Sequence, residues 1–394
     1  MKRLLQGLTA GAVAVALCVT PTSAYAADPA FTVVATGLDN PRGIAVGPGG
    51  VLLVAEAGNG GPGPCVTTPG KANGIWCLGM TGSVTGVVPP GVLPFLHSPA
   101  TTSNQWRQYR VVTGLPSLAS TIDGDNAVGI EHLAIRGLKV YATLGLGGDH
   151  EFRDGLGSNG QLLGRVVTLE PLANPPVSFS DLLPYEVNVN PDGGDIASNP
   201  YGLIGNPDGS LVATDAAGNS VIRISSTGAP SAVTALAVQP VEAPGFLGLP
   251  AGTTLPMQSV PTGIVRGPDG ALYIGEFTGF PFQIGGARVW KIPANGGAPS
   301  VVATGFTNII DLAFDKQNRL LVLELAKDSI LTNPAGVAPA GRLTRLAANG
   351  TRTELAAGKL FGPSGIAVGA DGSIYVTNYG VLGDGHGQVV KIRP

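Results

Sequence analysis

The chain has 394 residues and a net charge of −3, with 44% hydrophobic and only 12% charged residues. This mild acidity argues against a nucleic-acid partner, which requires a clustered basic face. The 60 glycines and 33 prolines would suggest disorder in a polar chain. Because the hydrophobic content is high enough to bury a core, the composition indicates an all-β protein with many turns instead.

The first 26 residues have the three parts of a secretory signal peptide. Lys2 and Arg3 give a charged start, an apolar run follows over residues 8–19, and Ala24, Tyr25 and Ala26 supply a cleavage site. Cleavage after Ala26 removes two cations and no acid, which takes the net charge to −5. No later run of 18 apolar, uncharged residues exists, so we expect no membrane span and a secreted protein, extracellular or periplasmic, with one domain over residues 29–394.

Two cysteines, Cys65 and Cys77, remain after that cleavage. An isolated pair in an oxidising compartment predicts a disulfide. Closing a loop of about a dozen residues is worth roughly 3 kcal/mol at most.

A repeated phrase organises the rest of the chain. It consists of a Pro-x-Gly-Ile entry, a short strand, a turn of the Gly-Pro-Asp-Gly type and a second strand, a pattern typical of β-hairpins. Four clear copies begin at Pro41, Pro200, Pro261 and Pro363, and two degenerate copies begin at Ile130 and Ile309. The apolar residue after the glycine position serves as an anchor in each copy: Ile44, Leu133, Leu203, Ile264, Leu312 and Ile366. A propeller blade needs about 40–50 residues, so the wider early spacings indicate loop insertions.

A third and a fourth strand follow most copies. The outer strands are predicted at QYRVVTGL, SAVTALAV, PSVVATGF and TRTELAAG, and that of the second copy lies somewhere within 177–189. The last copy ends after its third strand, and FTVVATGL from Phe31 has the missing outer-strand pattern. The sequence therefore predicts a six-bladed β-propeller of four-stranded antiparallel blades, closed by the N-terminal strand so that no edge is left exposed. It predicts no helix of any length.

The repeated phrases resemble those of NHL and SMP-30-like propellers. The phrase GIEHLAI from Gly129 and the segment EFTGFPFQIGGARVWKI from Glu276 are similar to the ScyD/ScyE family of secreted proteins. This resemblance covers nearly the whole mature chain and implies a secreted propeller. It brings no established reaction and no settled catalytic set.

Candidate functional residues lie where strand one starts and strand two ends, because both points lie on one face beside the central channel. One residue before the anchor, four blades have glycine and the other two have His132 and Asp311. Two residues before the anchor, blades 1, 2 and 3 have Arg42, Glu131 and Tyr201. Four residues before the anchor stand Asn40, Asn199 and Asn308. We predict Glu131, His132 and Asp311 as catalytic candidates and Asn40, Arg42, Asn199, Tyr201 and Asn308 as ligand-binding candidates. Because carboxylate and amide oxygens suit Ca²⁺ or another divalent cation, Glu131, Asp311 and Asn199 are the candidate metal ligands.

Other acidic segments have a structural interpretation. The carboxylates at the end of strand two are expected to bond backbone N–H groups in the turn that follows the strand. They stand at Glu56, Asp215, Glu276 and Glu324, with Asn378 in the last blade. Asp123–Asn126 and the segment GDHEFRDG from Gly148 are expected to be charged surface loops. The alternative for the second segment is that it forms a rim over the channel mouth.

Three functions remain open at this point. The first is a propeller that binds a small ligand, a cation or a protein partner at its channel mouth, without enzymatic activity, and as a monomer. The second is a divalent-metal-dependent lactonase or other hydrolase of the SMP-30-like type. The third is a quinone-dependent sugar dehydrogenase, for which Arg42 and Tyr201 give few cofactor contacts. The chain has no Gly-x-Ser-x-Gly elbow, His-Glu-x-x-His motif or phosphate loop.

Overall fold

The structure is a computed structural model that describes residues 30–67, 74–92, 104–121, 126–137, 139–169 and 176–393. The predicted signal peptide lies outside these residues, as does most of Asp123–Asn126. In chain order the strands are β1 (Ala30–Leu38), β2 (Pro41–Val46), β3 (Leu52–Glu56), β4 (Cys65–Thr67), β5 (Ile75–Val88), β6 (Arg107–Ser120), β7 (Ile130–Arg136), β8 (Lys139–Leu144), β9 (Arg165–Leu169), β10 (Val177–Asp181), β11 (Pro200–Gly205), β12 (Leu211–Asp215), β13 (Ser220–Ile224), β14 (Pro230–Ala235), β15 (Gln239–Glu242), β16 (Thr254–Met257), β17 (Pro261–Arg266), β18 (Leu272–Glu276), β19 (Ala287–Ile292), β20 (Ser300–Phe306), β21 (Ile309–Phe314), β22 (Leu320–Glu324), β23 (Arg342–Leu346), β24 (Arg352–Leu355), β25 (Gly365–Val368), β26 (Ile374–Asn378) and β27 (Gly387–Arg393).

These strands form six antiparallel blades arranged as a six-bladed β-propeller, as the sequence predicts. The blades in order are β2-β3-β5-β6, β7-β8-β9-β10, β11-β12-β13-β14, β17-β18-β19-β20, β21-β22-β23-β24 and β25-β26-β27-β1. The N-terminal strand β1 pairs with β27 from Ala30↔Arg393 to Leu38↔Gly387 and completes blade 6. The outer strand of blade 2, left open by the sequence, is Val177–Asp181.

The core lies between neighbouring blades. Inner and middle strands carry apolar side chains on both faces, so each blade packs against the next through a cluster of buried residues. Between blades 3 and 4, for example, Val212 and Val221 pack against Ile264, Ile274 and Trp290. Equivalent clusters fill the other blade interfaces.

The prediction of no helices is wrong for two insertions. The helices are α1 (His150–Gly155), α2 (Gly157–Gly160) and α3 (Leu183–Val189). The expected charged loop at Gly148 is thus partly helical: Asp149 caps α1 by accepting a hydrogen bond from the Phe152 N–H. Arg153 is buried there, and its guanidinium lies 2.8 Å from Asp181 at the end of β10. No helix in the described part of the chain is long and apolar enough to cross a membrane.

The predicted disulfide is present. Cys65 and Cys77 face each other on the paired strands β4 and β5, with their Cα atoms 4.0 Å apart. The bond ties the insertion between the second and third strands of blade 1 to the long strand β5.

Candidate functional site

A repeated bulge aims the candidate residues at the channel. In blade 1, Pro41 pairs with Glu56, but the next pair is Ile44 with Val54, so Arg42 and Gly43 lie in a register shift. A register shift also occurs at the start of strand one in blades 2 to 5. In blades 2 and 5 it spans only the residue two before the anchor, and His132 and Asp311 are paired with Thr143 and Leu323. A bulge redirects a side chain out of the sheet alternation. The bulge therefore reorients Arg42, Glu131 and Tyr201, each two residues before its anchor.

Arg42 of blade 1 and Glu131 of blade 2 form a buried ion pair. Arg42 Nε lies 3.2 Å from Glu131 Oε2, and their side chains are 8% and 4% exposed. The guanidinium also donates to the backbone carbonyls of Ala127, at 2.5 Å, and Gly380. Burial raises the pKa of Glu131, and the positive charge of Arg42 opposes that rise.

His132 and Asp311 meet across the channel, from blades 2 and 5 on opposite sides of the ring. His132 Nε2 lies 3.7 Å from Asp311 Oδ2. Asp311 also accepts hydrogen bonds from the backbone N–H groups of Leu312, at 2.8 Å, and Ile366, at 2.9 Å. The Nδ1 atom of His132 is buried and has no hydrogen-bond partner among the described residues.

The glycines of this column make room for those two side chains. A Cβ atom on Gly43 would lie 2.7 Å from His132 Cδ2, and one on Gly263 would lie 2.5 Å from Asp311 Cα. Both distances are shorter than any real contact, so the glycine positions and the two ionisable positions form one packed layer that fills the channel. We call Arg42, Glu131, His132 and Asp311 the channel network.

Hydroxyl groups join the other blades at the same level. Thr143 donates to Tyr201 O, Thr214 to Thr262 O and Thr262 to Ile309 O, at 2.5–2.7 Å. These three bonds link blades 2–3, 3–4 and 4–5. Blades 6 and 1 are joined by Thr377, which donates to Arg42 O at 2.8 Å. The Arg42–Glu131 pair and the bond from Ile366 N–H to Asp311 occupy the two remaining interfaces, so three members of the channel network also hold the ring together.

Tyr201 reaches the channel network from blade 3. Burial raises the pKa of its phenol, and the nearby charge of Glu131 raises it further, so the hydroxyl stays protonated. Its ring packs with Phe277 against the cluster that contains Ile310 and Val381. The mouth of the channel on the face where strand one begins is therefore lined by aromatic and aliphatic side chains above a polar layer.

The three asparagines do not form one set. Asn40 and Asn308 have positive φ values of 48° and 45°, the left-handed region that asparagine tolerates. Their amides donate to the carbonyls of Gly58 and Phe277, both at 2.9 Å, in the loop beyond strand two. Asn199 lies closer to the network: a Cβ atom on Gly145 would lie 2.7 Å from Asn199 Oδ1 and 3.1 Å from Glu131 Oε1.

The carboxylates that end strand two bond the backbone just before strand one. Glu56, Asp215, Glu324 and Asn378 each accept from the N–H of one residue there, at 2.7 Å in every case: Asp39, Asn199, Thr307 and Phe361. Glu276 accepts instead from Ser259 Oγ, Arg288 and the Trp290 indole. All five side chains are buried. The column therefore has a structural role in five blades, although its main partners lie before strand one and not in the predicted turn after strand two; Asp215 alone also accepts from that turn, at Gly218 N–H.

A divalent cation does not fit the channel network as it stands. The Glu131 carboxylate faces Arg42, and both oxygens of Asp311 accept from backbone N–H groups. Among the described residues no group of three or more His, Cys, Asp or Glu side chains could hold a metal ion. Glu131, Asp311 and Asn199 therefore do not provide the free oxygen ligands that Ca²⁺ requires.

A further buried acid, Glu186 in α3, was not predicted from the sequence. Its side chain is 1% exposed, and Oε1 has no hydrogen-bond partner among the described residues. A Cβ atom on Gly218 would lie 2.8 Å from Glu186 Oε2, so the carboxyl lies against the turn after β12. Burial raises the pKa of Glu186 to about 8, and the charges of Asp215 and Asp192 contribute. The segment falls between repeats, where the column comparison gives no signal.

Glu186→Gln is expected to stabilise the protein at alkaline pH only. Because the folded-state pKa of about 8 lies above the ordinary 4.5, the folded chain holds this proton more tightly than the unfolded chain. The stabilisation is complete below pH 4.5 and is lost as the pH rises to about 8. Urea unfolding at several pH values should show the variant equal to wild type at pH 4 and more stable at pH 9, by at most about 5 kcal/mol. The exposed Glu242→Gln is the control, and a difference that stays constant with pH would contradict the assignment.

Comparison with known proteins shows similarity of fold and no significant similarity of sequence. No protein-family model matches the chain, and no curated protein is significantly similar to it. Virginiamycin B lyase from Staphylococcus aureus is 17% identical, with a TM-score of 0.42 over 90% of this chain and 83% of that chain. A protein described as a gluconolactonase is 12% identical, with a TM-score of 0.48 over 93% of each chain. The PQQ-bound aldose sugar dehydrogenase from Streptomyces coelicolor is 15% identical, with a TM-score of 0.49 over 93% and 99%.

These neighbours are six-bladed β-propellers with three different activities in their names. Similarity at this level does not distinguish among those activities for the present chain. The ScyD/ScyE resemblance rests on the sequence phrases alone.

Proposed function

We propose that the protein is a secreted binding protein that takes a small polar ligand at the mouth of its central channel. The observation that carries the proposal is the buried Nδ1 atom of His132, which has no partner among the described residues. A buried polar atom without a partner costs about 1–3 kcal/mol, and a ligand group that bonds to it recovers that energy. Arg42, Glu131 and Asp311 are engaged in the ion pair and backbone hydrogen bonds that hold neighbouring blades together.

The chemistry of the mouth favours a ligand with both donors and acceptors and little net charge. Arg42 and Glu131 offset each other, while the protonated Tyr201 hydroxyl can donate. The Tyr201 and Phe277 rings give apolar faces beside these groups. A hydroxylated or amide-containing molecule of modest size matches this combination.

Metal-dependent hydrolysis ranks below binding, because the carboxylates of the channel network are already engaged. Quinone-dependent oxidation ranks below it for a related reason: Arg42, the cation of the mouth, is held by Glu131 and two carbonyl groups. Neither alternative explains the unpartnered atom of His132.

His132→Ala is expected to abolish ligand-induced stabilisation and to leave the fold intact. A thermal-shift screen of neutral sugars, polyols and amides identifies a ligand through the rise in melting temperature, since a ligand at 100 times its Kd stabilises by about 2.7 kcal/mol. The variant should lose at least tenfold in affinity by titration calorimetry. The matched control is His386→Ala, which removes an exposed histidine on the β26–β27 loop.

The proposal fails if no compound in the screen shifts the wild-type protein, or if a ligand found there binds His132→Ala equally well. If a chelator abolishes the ligand-induced rise in melting temperature and Ca²⁺ restores it, the result would favour the metal-dependent hydrolase.

A further inference from the structure

An uncharged, apolar surface adjoins the channel mouth. It consists of three segments on the face where strand one begins: the tip of the β15–β16 hairpin with its flanks (243–261), the β18–β19 loop (277–286) and the second part of the β22–β23 loop (329–341). These ranges contain no Asp, Glu, Lys, Arg or His, although Lys327 and Asp328 precede the third segment in the same loop. We call the three segments the apolar loop surface.

Large apolar side chains point outward from this surface. Seven of them are more than a third exposed: Phe246 at 69%, Leu247 at 39%, Leu249 at 46%, Phe280 at 42%, Ile284 at 65%, Leu331 at 37% and Val337 at 51%. A chain of edge-to-face ring contacts runs from Phe246 through Phe280 and Phe282 to Phe277. Ser329 donates to Phe282 O at 2.6 Å and joins the third loop. The exposed residues thus belong to one connected patch, which a soluble surface rarely shows without a binding role.

Part of the hairpin-tip backbone is hydrogen-bonded within the tip. The N–H groups of Ala243, Leu247, Gly248 and Thr253 donate to carbonyls within residues 244–253, at 2.8–3.1 Å. The Thr253 hydroxyl donates to Pro250 O at 2.6 Å. A protein partner is usually recognised through free donors, acceptors and charges at the rim of the contact. A lipid phase requires the opposite, backbone groups that are bonded within the segment.

From this pattern we propose that the apolar loop surface docks the protein on a neutral lipid surface. Phe246, Leu247 and Leu249 enter the boundary between headgroups and acyl chains, with Phe280 and Ile284 beside them. Apolar burial drives the binding. Because the hairpin tip and the β18–β19 loop, which supply these five side chains, contain no charged residue, the binding does not depend on anionic lipid or on salt. The channel mouth, continuous with the patch through Phe277, then faces the lipid.

The test uses vesicles of phosphatidylcholine alone and flotation of the full-length secreted chain. Wild type should float with the vesicles to the same extent at low and high salt. Phe246→Ser/Leu249→Ser should lower the partition coefficient roughly tenfold to a hundredfold, because two large apolar side chains no longer enter the lipid. The control is Val301→Ser/Val302→Ser, which removes side chains of 40% and 45% exposure from β20. Equal melting temperatures confirm that both variants fold.

Three results would overturn the proposal. They are the absence of wild type from the floated vesicles, flotation of the tip variant equal to that of wild type, and a requirement for anionic lipid. A concentration-dependent dimer that the tip variant abolishes, without flotation of wild type, identifies a second copy as the occupant and also overturns it. The ligand assay on His132 is separate, so failure here leaves the channel proposal standing.

Discussion

Deleting Ala30–Leu38 is expected to lower the free energy of unfolding by about 3–6 kcal/mol from two buried side chains alone, because this strand closes the ring. Val34 and Leu38 are 7% and 1% exposed, and burying each such side chain contributes roughly 1.5–3 kcal/mol. The deletion also leaves the outer side of β27 unpaired from Gly387 to Arg393. Such an edge invites pairing with another chain. Thermal unfolding and size-exclusion chromatography should show a large fall in melting temperature and association.

A circular permutant separates loss of closure from loss of chain. Because Ala30 pairs with Arg393 in an antiparallel register, residues 30–38 can follow residue 393 through a short turn in a chain that begins at Asp39. This permutant should recover most of the lost stability, since the strand returns to the same partner. If the deletion is as stable as wild type, or the permutant as unstable as the deletion, β1 does not close the ring.

The fold was predictable because its signal is repeated. Each blade needs the same two short apolar strands and the same turn, so six imperfect copies reinforce one another even where Ile130 and Ile309 depart from the phrase. The helices were not predictable for the opposite reason. Helices of four to seven residues have no visible apolar period, and α1 is held by contacts distant in sequence, such as Arg153 with Asp181.

The site was predictable in part. His132 and Asp311 stand at a position that is glycine in the other four blades. Because the glycines leave room there, this position indicates where the two larger side chains meet. The same comparison was less informative for Asn40 and Asn308, whose left-handed backbone and amide bonds give a local reason for asparagine. Glu186 gave no signal, since its environment depends on Gly218 in the next blade.

The polar layer has a double role in this interpretation. Hydroxyl groups suffice to join four of the six blade interfaces, and Arg42–Glu131 and Asp311 serve the other two. His132 is the member that the ring does not need, because its imidazole joins no neighbouring blades. A substitution at Arg42 should therefore lower the stability of the fold, whereas a substitution at His132 should lower the affinity for the ligand.

Arg42→Met is expected to destabilise the protein by about 3–5 kcal/mol at pH 8, because it leaves Glu131 buried without its cation. The carbonyls of Ala127 and Gly380 also lose their donor. Without Arg42 the pKa of Glu131, already raised by burial, should rise further above the ordinary 4.5. Since the folded state then holds the proton more tightly, the variant is least impaired below that value, and its stability falls as the pH rises. Urea unfolding at pH 5 and pH 8 measures the difference.

The double variant Arg42→Met/Glu131→Gln tests the cause. Replacing the unpaired carboxylate of Glu131 by a neutral amide should recover part of the lost stability at pH 8. It should also remove most of the pH dependence of that stability. Arg223→Met is the control, because Arg223 pairs with Asp208 at 2.5 Å on the surface, with 50% and 54% of the two side chains exposed. That change should leave the stability nearly unchanged at either pH. A loss at Arg42 that is equally small, or equal at pH 5 and pH 8, would show that the pair is not desolvated in the folded protein.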